Sequence, residues 1–159
     1  MYKDNLSKRE EKSLYRYCRL RNLSIHKLNM DQKRSSDYRK KFFDNNKPTC
    51  NHNTKYRCVY CGRKLSPAKV TVDHLYPVDK AMKSDKVCKK MKRQGINNVN
   101  DVNNLVPACE RCNKSKSNHM GKWIIKGKLG QLRWYWPVIN VIRFTLFICL
   151  IIIIYGLSK

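Results

Sequence analysis

Thr71-Val72-Asp73-His74-Leu75-Tyr76-Pro77 and, 25 residues further on, Asn103-Asn104-Leu105-Val106-Pro107-Ala108-Cys109-Glu110-Arg111-Cys112-Asn113-Lys114-Ser115-Lys116 are the stretches that decide how this chain folds. Val70, Thr71 and Val72 read as a short strand, and Leu105 and Val106 as its returning partner, which Pro107 ends. The run 110–117 has enough helix formers to begin a helix. The order is therefore strand, strand, helix, an α+β arrangement. Asp73 and His74 stand where the first strand ends, with Pro77 just beyond. A strand end closed by a rigid turn is a stiff platform for chemistry.

Cysteine spacing supplies a second constraint. Of eight cysteines, Cys58 and Cys61 form one Cys-x-x-Cys pair and Cys109 and Cys112 another, while Cys18, Cys50, Cys88 and Cys149 are scattered. Paired spacing of this kind points to metal rather than to disulfides. The opening residues, MYKDNLSKREEK, lack the apolar core of a secretory signal, so reduced thiols are expected. Four thiolates are a set that Zn2+ prefers, and with all four filled no position is left for water. Cys58, Cys61, Cys109 and Cys112 are thus the expected ligands of a structural zinc. The 47 residues between the pairs are closed at small entropic cost by the intervening hairpin. Neither pair opens a helix in a βαβ pattern, which disfavours a redox role. Cys50 with His52 is a lesser, extra ligand pair.

The chain has 159 residues, enough for one compact domain with extensions. Its 35 Lys and Arg against 11 Asp and Glu give a net charge of +24, which calls for a polyanionic partner, nucleic acid first and anionic lipid second. Residues 1–47 read as a basic helical extension. A first helix starts at the Ser7 and Glu10 capping box, with Leu6, Leu14, Tyr15 and Cys18 at helical spacing, and a second covers 37–45. Basic residues there interleave with Tyr15, Tyr17, Tyr38, Phe42 and Phe43, either to track a phosphate backbone or as a solvated basic face. Residues 48–130 form the main domain, in which the lysine-rich 79–93 is an inserted helix or loop.

Residues 134–157 read as a transmembrane helix. The apolar part, 138–157, spans about 30 Å at 1.5 Å per residue and is broken only by Arg143, which can snorkel toward the surface. Trp134, Trp136 and Tyr155 suit interfacial positions. Lys122, Lys126, Lys128 and Arg133 put the preceding side in the cytoplasm, so a membrane is a second expected partner.

Taken together, the first knuckle, Asp73-His74-x-x-Pro77, Asn104-Leu105 and Cys109-x-x-Cys112-Asn113-x-x-Lys116 resemble the cysteine-containing, zinc-knuckle branch of the HNH endonuclease family over about 60 residues. The resemblance implies a ββα-metal core that hydrolyses DNA phosphodiester bonds, RNA not being excluded. On this resemblance His74 is the general base, Asp73 and Asn113 hold a catalytic Mg2+ or Mn2+, and Asn104 braces the loop that orients the histidine, a role Asn103 could also fill. Arg111, Lys114 and Lys116 lie on or near the catalytic helix and are expected to grip flanking phosphates. One departure is the charged stretch 80–100, where the family's loop is often short and glycine-rich. Two other readings stay open: a non-catalytic zinc ribbon that binds nucleic acid by charge, and a membrane-tethered protein whose basic face binds anionic lipid.

Overall fold

A helix this polar needs its first turn secured, and helix α1 (Lys8–Leu20) has the reciprocal cap its sequence calls for: the Ser7 amide and hydroxyl donate to Glu10 Oε2 at 2.9 and 2.8 Å, and the Glu10 amide donates back to Ser7 Oγ. The computed structural model describes residues 7–20, 32–50 and 52–157. Leu6, the side chains of Leu14, Tyr15 and Cys18, and residues 21–31 of the basic extension lie outside the described residues.

Helix α2 (Tyr38–Asn45) buries Phe42, whose ring stands 5.8 Å from that of Tyr56, and the Arg39 guanidinium ties the helix to the domain by donating to the Val70 carbonyl at 2.8 Å. A two-residue hairpin follows, β1 (Tyr56–Arg57) against β2 (Lys64–Leu65). The main hairpin pairs β3 (Thr71–His74) with β4 (Leu105–Ala108) in antiparallel register, Asp73 opposite Val106 and His74 opposite Leu105. Pro107 does not end β4 as its sequence suggests but pairs with Val72 inside it. Pro107 turns its backbone polar groups away from β3, so its missing N–H costs no ladder bond there. The Pro107 carbonyl instead accepts from the Val59 amide at 3.0 Å and links the hairpin to the first cysteine knuckle.

The lysine-rich insertion forms two helices, α3 (Val78–Lys83) and α4 (Asp85–Lys92). Its sparse apolar residues suffice because Ala81 and Met91 are buried while the lysines face out. Helix α5 (Glu110–Lys116) follows β4 with only Cys109 between. Strand, strand and helix therefore enclose a core of Val70, Val72, Leu75, Tyr76, Leu105 and Val106.

Helix α6 (Lys122–Gln131) leads within three residues to α7 (Tyr135–Leu157), which is long and apolar enough to cross a membrane, with a mean hydropathy of 2.5 in its core window and no part of that window buried. Its first turn belongs to the domain. Trp136 is 5 % exposed and donates from Nε1 to the Gly130 carbonyl at 3.2 Å. The indole lies on Gly62, where φ is +77° and a Cβ would collide with the ring.

Candidate functional site

Four sulfur atoms, from Cys58, Cys61, Cys109 and Cys112, lie within 4.8 Å of one another. Two tight local structures put them there. The Gly62 amide donates to the Cys58 carbonyl at 2.9 Å and closes the first knuckle, and Cys109 caps α5 with Cys112 one turn on. Thiolates about 2.3 Å from a tetrahedral zinc stand about 3.8 Å apart. The Cys61 and Cys109 sulfurs are 3.8 Å apart, so the set fits such an ion. Burial pushes the Cys58 thiol up to about 11 and raises that of Cys112, so thiolates here require a cation beside them. The expected ligands thus form one cluster that can hold a metal such as zinc, between the first knuckle and the start of α5. Cys50 and His52 are not part of it.

Successive side chains on a strand leave it on opposite faces. Asp73 and His74 obey that rule and are not brought to one point. The Asp73 carboxylate turns toward α5 and the first cysteine knuckle, where Oδ2 accepts from the Tyr60 hydroxyl at 2.5 Å and from Lys116 Nζ at 3.0 Å, and Oδ1 lies 3.3 Å from the same ammonium. Lys116 also donates to the His74 carbonyl at 2.8 Å. Burial raises the pKa of Asp73 and lowers that of Lys116, and each partner's charge opposes the change.

Two expectations are corrected by this. Lys116 is fully buried in an ion pair, so it is not a phosphate-gripping surface cation. Its stem fills the space under β3 and its ammonium is consumed by Asp73. Of the donor set for Mg2+ or Mn2+, Asp73 with Asn113, the Asp73 carboxylate is already paired with the Lys116 ammonium, and Asn113 lies half-buried on α5. These residues do not fit a catalytic divalent ion as arranged. Arg111 and Lys114 remain exposed on α5, with Lys114 in a surface pair with Glu110 at 2.6 Å. Such a pair is too weak to keep Lys114 from a phosphate.

His74 points to the other face and is 3 % exposed. The Tyr38 ring covers it, centroids 4.9 Å apart, and Nε2 is buried with no hydrogen-bond partner. Burial, then the charges of Arg34 and Lys116, pull its pKa down to about 4, against a hydrogen bond to Asn100 that raises it. The imidazole is therefore neutral at pH 7 with a bare nitrogen in a closed space.

Asn104 has no exposed surface and bridges the two ends of the β3–β4 connection. Its Oδ1 accepts from the Tyr76 amide at 2.7 Å, and its Nδ2 donates to the carbonyls of Val99 at 2.8 Å and Tyr76 at 3.2 Å. Asn103 is exposed and takes no part in this bridge. Asn104→Ala would leave these buried groups unsatisfied, and a loss of about 3 kcal/mol in urea unfolding is expected. A loss within experimental error would remove the bridge from the account.

Sequence reading missed Tyr60, Arg34 and Asn100 around these two residues and named Tyr38 only among the aromatics of the basic extension. Asn100 lies in the asparagine-rich run 97–104 and had no feature to set it apart from its neighbours.

No family model, curated protein or solved structure matches the chain.

Proposed function

We propose that the domain is a zinc-stapled nuclease of the HNH kind that hydrolyses phosphodiester bonds in DNA, with His74 as general base. The observation that carries this reading is His74 itself, a neutral imidazole on a stiff strand end with a buried, unpartnered nitrogen. Strand–strand–helix order, the Asn104 bridge and the cysteine cluster at the helix start support it. In this reading Nε2 takes a proton from a water that attacks phosphorus in line, the bond from phosphorus to the 3′ oxygen breaks, and that oxygen leaves with a proton from solvent, while Arg111 and Lys114 hold neighbouring phosphates. The ring is sealed under Tyr38, so the substrate reaches it only when that cover yields. The net charge of +24 supplies the attraction to the polyanion. With α7 in a bilayer, the lysines of α6 keep the domain on the cytoplasmic side.

The test is cleavage of supercoiled plasmid by the full chain in detergent, with and without added Mg2+ or Mn2+, and with an RNA substrate in parallel. The full chain is needed because Trp136 of α7 is part of the packed domain. His74→Ala is expected to lower the rate by about 10²- to 10⁴-fold while binding is kept. Cleavage that survives this change sinks the assignment.

The Asp73–Lys116 pair and the sealed histidine favour a second reading, a zinc-stapled module that binds nucleic acid by charge without cutting it. That reading predicts salt-dependent binding and intact plasmid under every metal condition.

A further inference from the structure

His74 owes its burial to a piece of chain from far away in sequence. Segment 32–38 crosses its face and is stitched to residues 99 and 100 by three hydrogen bonds: Gln32 Oε1 accepts from the Val99 amide at 3.0 Å, Asn100 Oδ1 from the Ser35 amide at 3.0 Å, and the Lys33 carbonyl from Asn100 Nδ2 at 2.8 Å. At its end Tyr38 lies on His74, and above Tyr38 the Arg34 guanidinium stands 5.3 Å from the ring centroid. Lys33 and Arg34 are exposed. The order outward from the hairpin is thus imidazole, phenol, guanidinium, solvent.

We infer that segment 32–38 is a cap on His74 that a nucleic-acid backbone displaces by drawing Arg34 away from Tyr38. The outermost group of the stack is the one a phosphate meets first, and a phosphate on Arg34 competes with its seat on the ring. Among the described residues three single hydrogen bonds tie the rest of the segment to 99 and 100, whereas β3 beneath is held by a full ladder and the Lys116 contact, so the cap lifts while the histidine stays. Binding of a polyanion then uncovers Nε2 and the resting protein keeps it shut. The displacing role of DNA rests on the nuclease reading; the cap itself does not.

Two measurements separate these. Peptide-resolved carbethoxylation of the full chain in detergent at neutral pH compares His74 with the exposed His52. His74 is expected to react at least about tenfold more slowly, and Tyr38→Ala or, with less disturbance of packing, Gln32→Ala brings it close to the His52 rate. A wild-type His74 as reactive as His52, or one that neither variant accelerates, overturns the cap. Plasmid cleavage then tests the trigger through a double-mutant cycle. Arg34→Gln is expected to slow the wild type about tenfold and to have little effect in Tyr38→Ala, where no cap remains to be drawn off. Equal effects in both backgrounds overturn the trigger. No cleavage in any variant rejects the nuclease reading and the trigger with it, and leaves the labelling result to judge the cap.

Discussion

Cys109→Ser, or removal of metal by a strong zinc chelator, is expected to unfold the domain outright. The cluster joins the knuckle at Cys58 and Cys61 to the first turn of α5, and Cys58, Cys109 and Cys112 are buried in the same core as Val59 and Val106. Structural zinc is worth about 10–16 kcal/mol of apparent binding energy in small domains, against a net stability of about 5–15 kcal/mol for a typical fold. Loss of the ion therefore removes more than the domain has to spare. It also leaves buried sulfurs crowded together without a counter-charge. The measurements are metal content per chain, with one zinc expected, and thermal melting followed by circular dichroism. Cys149→Ser, at an exposed position of α7, should change neither. A chelated protein that melts where the untreated one does would show that the four sulfurs hold nothing the fold depends on.

Breaking the pair beneath β3 is the second large effect. Lys116→Met leaves the buried Asp73 carboxylate without a counter-charge, and Asp73→Leu strands the ammonium; each is expected to cost about 3–5 kcal/mol in chemical denaturation. The double change should recover most of that loss, because an apolar pair of similar volume avoids desolvating two charges. A double variant whose loss equals the sum of the two single losses would mean that the two charges do not act on each other. Lys116→Met also offers the carboxylate to a competing cation. Stabilisation of this variant alone by Mn2+ would identify the ammonium as what keeps a divalent ion away from Asp73.

Local spacing made much of the molecule legible. The two Cys-x-x-Cys pairs converge because each is a tight turn set by neighbouring backbone bonds, and the capping box of α1, the hairpin strands and α5 follow from residues within a few positions of one another. Asn104 was legible as a brace because the resemblance marked it. What failed was long-range. Nothing local tells that Lys116 is drawn under β3 by a carboxylate 43 positions earlier. Strand alternation alone separates Asp73 from His74, but the family pattern reads the two as one constellation. The segment around Arg34 reads as generic basic surface, since its contacts lie 65 to 67 positions away in the hairpin connection. Pro107 was misread for a related reason: whether a proline ends a strand depends on the neighbours of that strand.

Trp136 determines how freely the face that carries His74 can travel. A domain hung on a loose tether samples a volume set by the tether's length, and its target can approach from many directions. Here the indole is seated between Gly62 and Gly130, and only residues 132–134 separate α6 from α7, so the axis of the apolar helix and the plane of the hairpin turn as one body. If that axis stands in a bilayer, the histidine faces a single compass direction at a single height above the lipid. A duplex would have to lie within that narrow layer to be touched, which makes the depth and tilt of α7 determinants of what the protein can reach.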